Sequence, residues 1–407
     1  MLRGIQRLTF AFSLALSVAA APSAVAPASE PASEIPVEEW LREPDRQDFA
    51  LKLQVKGPDL SFELRHLITV VARLEARDLQ RKHVQRELHY VMKVADEGGN
   101  WFTGDSTGNM SLTAKLGSGD AIEFVGSGYF RPGEYTIAFV VYDAIFKERS
   151  VALRRVRIPV PKNDPIPELN QRLPRVEFLL QPEVAAAHLG LFRDVLFLRS
   201  TRAVHIDLIV DFGAYSEYLG STRAKFYATR LLQTASLLSQ IRPTYGCVEV
   251  TAVDILRTEV LFRRRKAAEV DWPAVREQVL GRNLEVVDAN VLAARRETAS
   301  LFADFLGSLV KEPATCGEPN GSPLKVVLLV ASGVEFPLKT RVEPIPPACN
   351  CVIYYLRQVQ HPYAYFDDMP RLLKHLRAHE TKITDPKKFR WQLAELLASL
   401  EATSKTQ

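Results

Sequence analysis

The sequence predicts an α/β layer joined to an all-β one: a mainly parallel sheet flanked by helices, preceded by an antiparallel β-sandwich. From Phe49 to about Val160 apolar residues recur with period two, whereas from His205 onward apolar strands alternate with stretches of helical period. Between the two regimes stand Pro165, Pro167, Pro174 and Pro182, which neither a helix interior nor a central strand tolerates. The 407 residues are 47% hydrophobic and 25% charged, which excludes wholesale disorder and collagen-like repetition. With 52 Lys and Arg against 48 Asp and Glu, the formal charge of +4 is too balanced for a nucleic-acid binder. Four cysteines are too few for a disulfide scaffold, so a hydrophobic core carries the fold.

Arg3 and Arg7 precede an uncharged apolar run from Leu8 to Ala21. About 14 helical residues span only about 21 Å, short of a bilayer core of about 30 Å. Residues 1–21 therefore read as a secretory signal peptide, against the competing reading of an N-terminal membrane anchor. Secretion or a periplasmic location follows, and no later apolar run is long enough to predict a transmembrane segment. Residues 22–47, rich in Ala, Pro, Ser and Glu, bury too little apolar surface to order themselves and read as a flexible linker.

The segment 48–160 is expected to form an immunoglobulin-like antiparallel sandwich. Phe49–Val55, Arg86–Val94, Glu134–Asp143 and Val151–Ile158 alternate as strands, and Pro132-Gly133 supplies the turn before Glu134; His66–Leu74 reads as strand or helix, with strand favoured by its β-branched residues. Residues 161–194 form the Pro-rich connector. In 195–402, His205–Asp211, Val248–Asp254, Glu259–Phe262, Leu324–Ala331 and Cys351–Leu356 read as strands. Helices are expected at Ala224–Ile241, Trp272–Leu280, Ala293–Val310, Met369–Ala378 and Pro386–Leu400. Strand–helix alternation predicts parallel pairing with both faces covered.

Three motifs suggest chemistry without completing it. Gly104-Asp105-Ser106-Thr107-Gly108 matches a nucleophile elbow, but it lies in the all-β half among turn residues rather than on a strand–turn–helix. His375 and His379 share one face of the expected helix at a spacing that could grip one Zn²⁺, yet a zinc protease needs a Glu directly after the first His, and no third ligand is evident. Arg263-Arg264-Arg265-Lys266 reads as a solvated loop.

A strand ending in Asp211, a small loop and a long helix, then the Val248–Phe262 pair and the apolar strand ending in Ala331-Ser332-Gly333, resemble a von Willebrand factor A (VWA) domain, a Rossmann-like fold. Pro386, Phe389 and the helix Trp391–Leu400, with the Tyr135–Ile158 hairpin, are similar to the exported VWA-related proteins of acidobacteria. The resemblance covers about half the chain, 195–402. VWA domains that hold a divalent cation use Asp-x-Ser-x-Ser, a Thr and a further Asp, oxygen ligands suited to a hard ion. Here Asp211 is kept, Gly213 and Tyr215 replace the serines, Ser332 stands for the last Asp, and no Thr stands near Asp288. The resemblance thus implies a degenerate metal site without a cofactor. It leaves Asp211, Tyr215 and Ser332 to bind a partner at the crevice beyond the carboxyl ends of parallel strands.

The VWA-like order also implies a disulfide. It places the strands led by Cys316 and by Cys349/Cys351 side by side, so Cys316 is expected to pair with Cys349 or Cys351. Cys349 is favoured because it lies in the adaptable Pro346-Pro347-Ala348 loop. Cys247 is left as a buried free thiol, and a Cys₄ zinc site is the competing reading. With no nucleophile–base pair set by spacing, the expected function is non-enzymatic: an exported protein that binds another protein or an envelope component. The alternative is a secreted hydrolase using Ser106 or His375 and His379.

Overall fold

The computed structural model describes residues 36–42, 46–75, 79, 85–103, 105–112, 120–179, 195–213, 221–254, 259–281, 303–316, 323–333, 345, 351–359 and 367–406. The expected signal peptide and most of the linker lie outside them. Residues Val37–Gln407 form one compact unit. No helix among the described residues is long and apolar enough to cross a membrane.

Antiparallel pairing dominates, which corrects the expectation of an α/β plus all-β chain classed by a mainly parallel, VWA-like sheet. The first eight strands are β1 Leu51–Leu60, β2 His66–Glu75, β3 Arg86–Asp96, β4 Ser106–Leu112, β5 Ala121–Phe130, β6 Gly133–Asp143, β7 Glu148–Ile158 and β8 Val176–Leu179. They make two four-stranded sheets, β1-β2-β5-β8 and β4-β3-β6-β7, antiparallel throughout. Short connections such as Ala144–Lys147 leave no room for the crossover that parallel strands need. Ile68, Val70 and Leu74 of β2 face Met92, Val94, Ile137 and Phe139 of β3 and β6 in a common core. The Tyr135 hydroxyl donates to the Arg131 carbonyl at 2.9 Å and pins the turn before β6.

Among the described residues, parallel ladders occur in a β9–β11 pair (Leu196–Leu198 with Ile241–Pro243) and in part of a six-stranded sheet. That sheet comprises β10 Val204–Asp211, β12 Gly246–Asp254, β13 Glu259–Lys266, β14 Leu324–Ala331, β15 Cys351–Gln358 and β16 His379–Ile383, in the order β13-β12-β10-β14-β15-β16. Its edge strand β13 runs antiparallel to β12. β10 and β14 are buried at every position, as befits central strands covered on both faces. Val204, Ile206, Leu208 and Val210 point to one face, against the helices Ser221–Leu238, Trp272–Leu280 and Pro386–Thr406. Ile209 points to the other, against helical residues 303–311 and the short helix Met369–Leu372.

Two local expectations change. The helix expected over Met369–Ala378 stops after Leu372, passes through a 3₁₀ turn at Lys374–Leu376 and ends at Arg377, whose φ of 51° is left-handed. Chain beyond it becomes β16, so His375 and His379 do not share a helix face. The basic run is likewise no loop: Arg263 to Lys266 complete β13.

The sandwich keeps a core of its own and meets the six-stranded layer through Phe62 and Leu64, between β1 and β2, which join the β10 cluster. Arg390 locks them together. Its Nε and Nη2 donate to the two Asp164 oxygens at 2.7 and 2.6 Å, both side chains are buried, and Nη1 reaches the Leu64 carbonyl.

Candidate functional site

Period two places His205, Asp207, Ile209 and Asp211 on the same face of β10. The middle of this face is apolar, with Ile209, Val253, Val327, Leu329 and Ile353. Polar groups collect at its two ends.

At the carboxyl end Asp211 is fully buried and its Oδ1 accepts the Gly213 N–H at 2.9 Å. Across the sheet Tyr355 donates its hydroxyl to Asp367 Oδ2 at 2.8 Å, and Arg357 Nε lies 3.2 Å from the same oxygen. Asp367 Oδ1 accepts the Met369 N–H at 3.1 Å. Burial, followed by the Asp367 and Asp211 charges, keeps the Tyr355 phenol protonated far above its usual range. Gly333, at φ +100°, lets the backbone pass the guanidinium: a Cβ there would stand 3.4 Å from Arg357 Nε. Of the residues expected to meet a partner, Asp211 is 0% and Ser332 7% exposed, so neither presents an open surface; Tyr215 lies outside the described residues.

The amino end holds a denser cluster, which the sequence did not reveal. His205, fully buried, sets Nε2 2.7 Å from Asp207 Oδ1 and Nδ1 2.8 Å from Cys316 Sγ. Lys325 Nζ lies 3.1 Å from Asp207 Oδ2 and donates to the carbonyls of Leu309 at 2.9 Å, Val310 at 3.1 Å and Glu312, closing the end of the helical residues 303–311. Burial pushes the Asp207 carboxyl upward, but the His205 and Lys325 contacts outweigh it and hold its pKa below the usual range. Arg264 donates Nε to Glu249 Oε2 at 2.8 Å, Nη1 to Glu312 Oε2 at 3.0 Å and Nη2 to the Pro313 carbonyl at 3.1 Å. Thr315 Oγ1 donates to the other Glu249 oxygen at 2.7 Å. Arg264 points inward from an edge strand because its φ is +46° where the β12–β13 register shifts, the usual way a bulge re-aims a side chain.

The expected Cys316–Cys349 bridge is corrected. Cys316 bonds to Cys247, with Cα atoms 5.9 Å apart, so Cys247 is no free thiol. Cys351 is also disulfide-bonded, and Cys349 lies outside the described residues. After residues 303–311 the chain returns over the amino end of β10, where Cys316 meets His205. The register partner of His205 in β12 is Cys247, a single strand spacing away. Gly246 makes that approach possible: at φ +117°, a Cβ there would lie 1.9 Å from the Val204 carbonyl oxygen.

The other motifs stand apart. Ser106 is buried in β4 and donates its hydroxyl to the Leu179 carbonyl at 2.9 Å. His379 stacks on Tyr354 with ring centroids 5.2 Å apart.

No known family model matches the chain, and no curated protein does. Solved structures match only at low similarity. A β-glucuronidase of Bacteroides uniformis aligns with 81% of this chain at 9% identity and TM-score 0.20, and this chain spans only 38% of it. A von Willebrand factor type A protein of Catenulispora acidiphila aligns with 50% of this chain and 47% of its own at 13% identity and TM-score 0.25. The PilB minor pilin of Streptococcus sanguinis aligns with 78% of this chain and 87% of its own at 9% identity and TM-score 0.25. At these scores neither a fold nor an activity follows from any of them.

Proposed function

We propose that the chain is an exported, non-enzymatic binding protein whose partner is another protein of the cell envelope. One surface feature carries this reading. Phe226, 52% exposed, lies on the helix that follows the carboxyl end of β10, with the Arg230 guanidinium stacked 4.0 Å from its ring centre. An exposed aromatic backed by an arginine is the residue pairing that anchors protein interfaces. The likeness of 195–402 to VWA-related proteins in element order and at Asp211 points the same way. Closure of the carboxyl-end acid Asp367 on Tyr355 and Arg357 fits binding rather than chemistry in that crevice.

The test is a pull-down from cell envelopes with the exported form. Phe226→Ala and Arg230→Ala should each cut retention of the captured protein by about tenfold or more, as loss of about 1.4 kcal/mol or more at an anchor would. Trp391→Ala, an equally exposed aromatic on the Pro386–Thr406 helix, should leave retention unchanged. Equal retention by all three variants would refute the reading. Hydrolytic turnover abolished by Ser106→Ala or His379→Ala would establish the hydrolase instead.

A further inference from the structure

The amino-end cluster has the composition of a metal site, and the argument for it is independent of the proposed binding function. His205 Nδ1, Cys247 Sγ and Cys316 Sγ lie within 4.8 Å of one another. The 2.7 Å contact between His205 Nε2 and Asp207 Oδ1 requires a proton between them. Lys325 at 3.1 Å and Arg264 at 3.8 Å flank the same carboxylate. Nδ1, at the other side of the fully buried ring, faces Cys316 Sγ at 2.8 Å and Cys247 Sγ at 3.6 Å. One imidazole nitrogen is thus held by a carboxylate while the other is presented to two sulfurs, the arrangement of a metal-ligating histidine with its outer partner.

We propose that, once the Cys247–Cys316 bond is reduced, His205 Nδ1 and the two sulfurs form a thiolate–imidazole site for a borderline-soft divalent cation, Zn²⁺ by class. Tetrahedral zinc with bonds of about 2.0–2.1 Å to nitrogen and about 2.3 Å to sulfur sets N···S at about 3.6 Å. Cys247 Sγ already stands 3.6 Å from Nδ1, and Cys316 Sγ, at 2.8 Å, needs only to retreat as the S–S bond opens. The fourth position is left to water. Asp207 acts as the outer partner that zinc-bound histidines usually have, fixing the tautomer and the ring plane. Cys247 and Cys316 are each half-buried rather than sealed in the core, which gives reductant and ion access from solvent.

The chemistry balances with an external dithiol as reductant. One of its thiolates attacks a sulfur of the Cys247–Cys316 bond, its second thiol resolves the mixed disulfide, and it leaves as its own disulfide. Two electrons and two protons pass to Cys247 and Cys316. Binding one Zn²⁺ then releases those two protons to solvent.

The test uses the full chain with Cys349→Ser and Cys351→Ser, so that Cys247 and Cys316 are the only cysteines. Oxidised protein should retain no zinc after gel filtration, and protein reduced with a phosphine should retain one equivalent. Cobalt in its place should give thiolate-to-metal charge transfer and the visible bands of a tetrahedral ion. Asp207→Asn should weaken zinc binding by about 10–100-fold, and His205→Ala by at least as much. Should the reduced apoprotein unfold, reduction in the presence of zinc should preserve a cooperative melting transition that a chelator removes. Reduced protein that stays folded yet retains no metal, retention unaffected by His205→Ala, or unfolding that zinc does not prevent would each overturn the proposal.

Discussion

The two ends of one sheet face solve the same electrostatic problem differently. At the carboxyl end Asp367 receives the Tyr355 hydroxyl, the Met369 N–H and the Arg357 guanidinium on a single carboxylate. At the amino end Asp207, Glu249 and Glu312 face Lys325 and Arg264, each shared between several acceptors, and His205 hydrogen-bonds to Asp207. The first arrangement is local and closed. The second ties β10, β12, β13, β14 and the segment after residues 303–311 into one cluster and leaves an imidazole nitrogen pointing at sulfur. Buried charge at a strand end is therefore not by itself a sign of function; a buried imidazole nitrogen beside two thiol-derived sulfurs is a stronger one.

Breaking the shared network should cost more than breaking the local one. Lys325→Ala removes the cation beside Asp207 and strips a donor from three carbonyls, and should lower unfolding free energy in urea by about 3–5 kcal/mol, as loss of one member of a buried pair does. A loss under about 1 kcal/mol would mean that water or another cation replaces it. Cys247→Ser with Cys316→Ser opens a link with a sequence separation of 69 and should cost about 2–4 kcal/mol in the same assay. Arg357→Ala should cost less, about 2 kcal/mol, because Asp367 keeps the Tyr355 hydroxyl and the Met369 N–H. If Arg357→Ala proves the more damaging, the contrast between the two ends is wrong.

Acid sharpens the contrast further. The Asp207 pKa is lowered in the folded protein, so its contribution is present above the unfolded value of about 3.9 and is lost as pH falls through the folded one. Stability measured below about pH 4 should therefore fall less steeply with acid in Asp207→Asn than in the parent. An unchanged slope would show that Asp207 does not titrate against His205 and Lys325.

The sequence made some of this legible. β10 and β14 announce themselves as apolar runs because both are buried on two faces, and Tyr227, Leu231, Leu232, Ala235 and Leu238 mark the buried stripe of their covering helix. Met369, Leu372, Leu373 and Leu376 do carry helical spacing, but Arg377 adopts a left-handed conformation that no periodicity reports. The amino-end cluster was invisible for a different reason. His205, Cys247 and Cys316 are far apart in the chain, and only the β10–β12 register and the return path after residues 303–311 bring them together. Alternation alone would have placed His205 and Asp207 on one face, a signal that an eye drawn to Asp211 passes over. The run Arg263–Lys266 showed charge but not direction, since the inward turn of Arg264 depends on a positive φ within a bulge. Apolarity does not report the dominance of antiparallel pairing, because the most apolar runs belong to the six-stranded sheet while the longer strands of the sandwich are only partly buried.

The central claim is that the chemistry of this face lies at its amino end, around sulfurs held against His205. Non-reducing peptide mapping of protein purified from an oxidising compartment tests it most directly. The account predicts a peptide containing Cys247 linked to one containing Cys316. A Cys316–Cys349 or Cys316–Cys351 link would contradict it and dissolve the site.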